Sequence, residues 1–257
     1  LYQQTADAAA VTDDRPWREG TPAVRLAWLR QLRRLQPELS HAYVREALAP
    51  RGEPAPIKEQ VIRLLADLPD PADDDLLEAS LDARAAGVRD AAAHALRGRP
   101  DSAFAQRMRT RFRQWIHVEH DPLQFVVQLP TTLDAASKRD GMEISRHSGE
   151  GSARRCLRHL LTAVDLATWQ SIADPADVIA AGLSSPLDTA LLDGWAGRAV
   201  IEADAEWAAT LLGLRHDALR PHLGGLARVA PPAVRDAVSR ALLPQLLGPR
   251  GPIPFAG

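Results

Sequence analysis

The fold is decided between Leu81 and Leu96, where the chain reads LDARAAGVRDAAAHAL. From Gly87 onward the apolar residues are Val88, Ala91, Ala92, Ala95 and Leu96, the i, i+3, i+4, i+7, i+8 spacing of one helix face. Valine and alanines make that stripe narrow, so a neighbouring helix can approach closely. Asp82 is placed to cap the preceding turn, and Arg89 to reach a carboxylate of an adjacent element.

The pattern echoes elsewhere. Val234-Arg235-Asp236-Ala237-Val238-Ser239-Arg240-Ala241-Leu242 matches Val88 to Leu96 at six of nine positions, a weaker copy begins at Val24-Arg25, and a further Val-Arg pair is Val44-Arg45. The copies are 64 and then 146 residues apart. Against a repeat of ~40 residues these are not clean multiples. Prolines 22, 37, 50, 56, 69, 71, 100 and 122 cut the first half into pieces that each hold one or two short helices. Val24, Trp28 and Leu32 show helical spacing, as do Ile57, Val61, Leu64, Leu65 and Leu68. Strand-like alternation is nearly absent; Phe125 to Leu129 (FVVQL) reads equally as a strand, an extended loop or a helical turn.

Leu81-Asp82 followed by Gly87-Val88-Arg89 and an alanine-rich helix resembles the turn and second helix of a HEAT repeat. The expected fold is therefore all-α, a HEAT-like α-solenoid of degenerate helix pairs interrupted by a long central loop. Residues 1–21 read as a poorly ordered segment or the tail of an upstream helix, and 22–120 as N-terminal helical repeats. Residues 121–151 read as an irregular loop or insertion, 152–247 as C-terminal helical repeats, and 248–257 as a frayed tail rich in Pro and Gly. The first residue is Leu1 and not Met, so the chain reads as a piece of a longer one.

Composition narrows the functional classes. Of 257 residues 46% are hydrophobic and 25% charged, with 31 Lys+Arg against 33 Asp+Glu, which excludes a disordered, collagenous or disulfide-built chain. Cys156 is the sole cysteine. No apolar run is long enough for a membrane span and no signal peptide is evident, so a cytoplasmic location is expected. All cations except Lys58 and Lys138 are arginine, a bias read as codon usage and not as a nucleic-acid footprint. The six tryptophans are read as core fillers at helix crossings in preference to a stacking platform.

Beyond the HEAT pattern, Leu81 to Leu96, Ser102 to Met108, Lys138-Arg139-Asp140-Gly141-Met142, Gly149-Glu150-Gly151 and the Leu157 to Trp169 helix pair resemble an uncharacterised bacterial family of HEAT-like helical proteins. The resemblance covers most of residues 20 to 245. It implies genes set near those of MoxR-type ATPases and von Willebrand A-type adaptors, hence a protein partner, and it carries over no catalytic residue.

The residues themselves offer little chemistry. His117-Val118-Glu119-His120-Asp121 sets two histidines at i, i+3, compatible with metal ligation from one helix, although a surface cluster at a helix end is the preferred reading. Cys156 and His159 share a helical face and could pair as nucleophile and base, with a packing cysteine preferred. No P-loop, GxGxxG, GxSxG or HExxH motif occurs. Asp67, Asp70, Asp73, Asp74, Asp75 and Glu78 precede Arg97, Arg99, Arg107, Arg109, Arg111 and Arg113. This acidic turn and basic helix either pair within the fold or leave a basic ridge beside the Lys138-Arg139 loop.

On that basis Arg107, Arg111, Lys138, Arg139 and Asp140 are the candidate partner-binding residues, with Asp140-Gly141 read equally well as a turn. No catalytic residue, metal ligand, cofactor or small-molecule substrate is assigned. The leading expectation is a scaffold for a protein partner without catalysis of its own, such as an ATPase or adaptor. The alternatives are nucleic-acid binding or DNA-base excision, which the net charge of −2 disfavours, and a metal- or thiol-dependent enzyme.

Overall fold

A computed structural model describes residues 13–142, 149–214, 216–237 and 240. The chain is mostly helical with one two-stranded sheet. It divides into two compact units, Leu1–Met108 with Thr132–Glu143, and Arg109–Thr131 with Ile144–Gly257.

In the first unit, helices α1 (Arg15–Glu19), α2 (Pro22–Leu35), α3 (Pro37–Leu48) and α4 (Ala55–Asp67) each carry proline in the first turn. There the missing N–H is no loss and the fixed φ is already helical. A 3-10 turn (Pro71–Asp73) leads to α5 (Asp74–Ser80), then α6 (Ala86–Arg97) and the first half of α7 (Ala103–Trp115). Short α8 (Ala135–Arg139) returns to the same unit. Helix α2 packs on α3 and α4, α4 on α3 and α6, and α5 on α3 and α6. The buried stripes Leu29 and Leu32, Val61, Ile62 and Leu65, and Val88, Ala92 and Leu96 meet there.

These helices share a register. α2, α4 and α6 start 33 and then 31 residues apart, so the 64-residue echo of Val24-Arg25 in Val88-Arg89 spans two steps of about 32 and not a fraction of 40. Three residues after each start stands a cation that reaches back into the turn before its own helix. Arg25 Nε donates to the Gly20 carbonyl, Lys58 Nζ to the Ala49 carbonyl, and Arg89 to the carbonyls of Ala83 and Arg84. The expected carboxylate partner for Arg89 is thus replaced by backbone oxygens, whereas Arg25 also meets Glu53 ahead of α4.

The second unit begins with the end of α7, which runs into an antiparallel hairpin, β1 (Ile116–His120) and β2 (Leu123–Val127), pairing Ile116 with Val127 and His120 with Leu123. Residues 121–151 are therefore not irregular throughout: they hold β2, α8 and the start of α9, while 143–148 lie outside the described residues. Then follow α9 (Gly149–Ala163), α10 (Leu166–Gln170), α11 (Pro175–Leu183), α12 (Asp188–Glu202), α13 (Ala205–Leu212), a 3-10 turn (Asp217–His222) and α14 (Leu223–Val229). Asp165 and Asp204 cap α10 and α13 by accepting from the Thr168 and Trp207 N–H groups. α12 lies at the centre, packed by α9, α11, α13, α14 and the 3-10 turn. Phe112, Phe125, Trp169, Trp195 and Trp207 form a chain of ring contacts with centroids 4.7 to 6.2 Å apart. All six tryptophans are buried, as core fillers should be.

The N-terminal expectation is corrected from residue 15 on, because α1 buries Trp17 against Trp28 and Tyr43. Residues 1–12, the tail 248–257 and part of the 234–242 echo lie outside the described residues.

Close helix approach depends on glycine. A Cβ at Gly182 of α11 would stand 2.4 Å from the Trp195 ring, whereas one at Gly224 of α14 meets nothing within 4 Å. Gly182→Ala should therefore lower unfolding free energy by about 1–3 kcal/mol through overpacking. Gly224→Ala should be neutral or stabilising by up to about 1 kcal/mol. Urea melts of the two variants beside the parent check the contrast.

Candidate functional site

The sequence-predicted residues Arg107, Arg139 and Asp140 do come together, in the first unit, but as a closed network. Asp140 is fully buried and accepts two bonds from Arg107, Nε at 2.9 Å and Nη2 at 2.8 Å, while the same Nη2 reaches Glu78 at 2.9 Å. Arg139 grips Asp82 with two bonds, at 2.7 and 2.9 Å, and adds the Glu78 carboxylate and carbonyl. Two guanidinium forks thus tie α8 to α5 and to the turn behind it. The Arg139 guanidinium, by hydrogen bonding, holds the Asp82 carboxyl below its ordinary range.

Local backbone explains why α8 stops where it does. Gly141 has φ 81°, with its N–H on the Lys138 carbonyl and the Met142 N–H on the Ser137 carbonyl. That is a Schellman closure, so Asp140-Gly141 is a turn as one reading had it, and the Asp140 side chain faces inward to Arg107. Lys138 is exposed. Arg111 is buried and belongs to the second unit.

The acidic turn meets its cations inside the first unit. Arg33 is buried and pairs with fully buried Asp73, which also lies near His41, and Arg33 reaches Ser40 and the Leu68 carbonyl. Asp70 pairs with His41 at 3.1 Å, and Asp74 lies 3.2 Å from buried Arg99. In the second unit Arg109 pairs with Asp165 at 2.7 Å. Arg107 and Arg109 of the basic helix are thus spent on internal pairs.

The two chemical candidates change character. His117 and His120 lie on β1 and not on a helix, and at i, i+3 on a strand they point to opposite faces. Among the described residues no group of three or more His, Cys, Asp or Glu is placed to hold a metal. Cys156 is buried in the second unit; burial pushes its thiol up to about 11 against the pull of Arg111, which keeps it protonated at neutral pH and a poor nucleophile.

Sequence reasoning missed a concavity in the first unit. A groove of about 850 Å³ runs across α2, α4 and α6. Its floor is small and apolar, from Ala23, Leu26 and Ala27 of α2, Leu64 and Ala66 of α4, and Gly87 and Ala91 of α6. Its rim is polar, from Arg30, Gln60, Arg63, Asp67, Asp90 and His94. Equal offsets identify these positions: Ala27, Gln60 and Ala91 are each five residues after their helix start, and Arg30, Arg63 and His94 each eight. The signal was present in the 64-residue echo, once halved.

The chain belongs to a family of unknown function (DUF5691), whose model matches residues 1–252. No curated protein and no solved structure matches it. The expected membership of an uncharacterised family holds. Among the described residues no helix is long and apolar enough to cross a membrane.

Arg107→Ala removes both bonds to a buried carboxylate and should cost about 3 kcal/mol, whereas Arg139→Ala, whose partner Asp82 is well exposed, should cost about 1 kcal/mol. Equilibrium denaturation measures both. Asp82, Asp165 and Asp193 have folded pKa values below their unfolded ones, so the folded state binds fewer protons near those values. Their stabilisation is present above about pH 4 and lost as acid protonates them. Melting temperature should hold from pH 7 to 5 and fall below pH 4, less steeply in Asp82→Asn. Cys156 should resist Ellman's reagent until denaturant is added.

Proposed function

We propose that this chain is a HEAT-like helical-repeat scaffold that holds a segment of a protein partner in the α2, α4, α6 groove and performs no chemistry of its own. The observation that carries the reading is the groove itself, lined at repeated helical offsets by three successive first helices over a small apolar floor. Stacked helix pairs bury their cores against their neighbours and leave such a continuous face for binding. Side chains as small as Ala23, Ala27 and Ala91 leave room for the chain of another protein, and the groove is open along one side instead of enclosing a small molecule.

The contact role first expected of Arg107, Arg139 and Asp140 is better read as a latch on α8, since their polar atoms bond to Glu78, Asp82 and one another. The same pairing weighs against nucleic-acid binding, because Arg33, Arg99, Arg107 and Arg109 are buried or half-buried against acids of the chain. The partner to seek first is an ATPase or an adaptor protein, and the location in which to seek it is the cytoplasm.

The test is capture from native lysate on immobilised chain, with the parent and Ala27→Trp side by side. Ala27 is exposed in the groove, so the indole fills the seat without entering the core. The expected result is a nuclease-resistant protein retained by the parent and lost by Ala27→Trp at unchanged melting temperature. Equal capture by both would move the binding face elsewhere, and capture that vanishes with nuclease would replace the reading with nucleic-acid binding.

A further inference from the structure

We infer that the segment taken by this groove is acidic and lies across the three helices with its carboxylates on the wall formed by Arg30, Arg63 and His94. The inference rests on the scaffold reading and adds the chemistry of the occupant. Its basis is register: the three residues stand at one position of three neighbouring helices, so they form a ladder across the groove and not a scatter of charges.

The rungs are available. Arg30 is 48% exposed and Arg63 66%, and their acidic neighbours are loosely held, Asp67 at 3.7 Å from Arg30 and Glu59 at 3.6 Å from Arg63. Exposed pairs at such distances are weak and exchange readily for a ligand carboxylate. They contrast with Arg107, whose two bonds to buried Asp140 are under 3 Å. Arg30 and Arg63 are the charged rungs of this wall. His94 is held below its ordinary pKa, first by partial burial and then by Arg97 and Arg63, which outweigh Asp67. Asp90 stands one turn before His94 on the same face of its helix, and with Asp67 it is an acid that an incoming carboxylate must outcompete.

Spacing specifies the occupant further. Packed helices lie about 8–10 Å apart, so successive rungs are about that far from one another. A polyproline II segment returns the same face every three residues, about 9 Å further on, and an α-helix every seven, about 10 Å further on. The fitting segment has an acidic residue at every third position if it is polyproline II, or at every seventh if helical, with small apolar residues between to lie on Ala27 and Ala91.

Three fluorescein-labelled 15-residue peptides test this by anisotropy at low salt, all built on alanine and leucine with every third residue Glu, Gln or Lys. Each is titrated with the full chain, with Arg30→Glu/Arg63→Glu and with Ala27→Trp, all first checked for an unchanged melting temperature. The Glu peptide should bind at least tenfold tighter than the Gln peptide. Charge reversal should cost that tenfold and shift preference to the Lys peptide, and Ala27→Trp should weaken all binding.

Equal binding of Glu and Gln peptides, lost in Ala27→Trp, would overturn the acidic assignment while leaving the groove as a binding seat. Glu-peptide binding that survives charge reversal would place the contact elsewhere and overturn it too. No binding by any peptide would overturn it as well, with the scaffold reading then judged by the capture experiment alone.

Discussion

Burying the Arg33–Asp73 pair is the constraint on which the first unit depends. Both side chains are almost wholly removed from water, and isolated charges in such a place would cost several kcal/mol each. The cost is offset only if every remaining donor and acceptor nearby finds work, and most do. Arg33 adds Ser40 and the Leu68 carbonyl, and His41 stands over Asp70 and Asp73. These contacts draw α2, α3 and the end of α4 onto one 3-10 turn. The same turn delivers Asp74 to Arg99 and leads into α5, where Glu78 meets Arg107 and Arg139. An acidic segment that would repel itself in isolation thus organises the helices around it, because each carboxylate is met from a different element.

That arrangement shows what was legible in the sequence and what was not. Helical periodicity at Val88 to Leu96 and at Ile57 to Leu65 was sound, since apolar spacing reports directly on which side of a helix is buried. The clustering of acids before arginines was visible too. Which arginine meets which acid was not, because pairing is set by helix packing and not by separation along the chain: Arg33 reaches forward forty residues to Asp73, and Arg109 fifty-six to Asp165. The Asp140-Gly141 turn was readable from glycine's access to positive φ, and Gly141 occupies it. The inward role of the Asp140 carboxylate depended on α7 lying opposite.

Two features were missed for separate physical reasons. The run Ile116 to Val127 was divided between a helix-end cluster and an ambiguous apolar pentapeptide because it is short and lacks regular alternation, with burial along β1 limited to Ile116 at one end. A two-stranded hairpin gains most of its stability from what it packs against, here through Phe125 on Trp169 and Trp195. The spacing of about 32 residues between the starts of α2, α4 and α6 was missed because the echo was measured across the intervening helix α4. There Pro56, Lys58 and Gln60 replace the Gly87, Arg89 and Ala91 of α6, so similarity of letters is lost while the offset of the cation and its bond to the preceding turn are kept.

The two populations of arginine in the first unit therefore serve different ends. Arg33, Arg99 and Arg107 are buried or half-buried and bonded to carboxylates that have little other solvation, so displacing their partners would expose charge to an apolar interior. Arg30 and Arg63 stand in water beside acids they hold only loosely. An incoming carboxylate gains at the second kind of site and loses at the first, since only there is the competing pair already weakened by solvent. Recognition by this unit is accordingly expected where its charges are least well satisfied internally, along the α2, α4, α6 groove, and not where they are most concentrated in sequence.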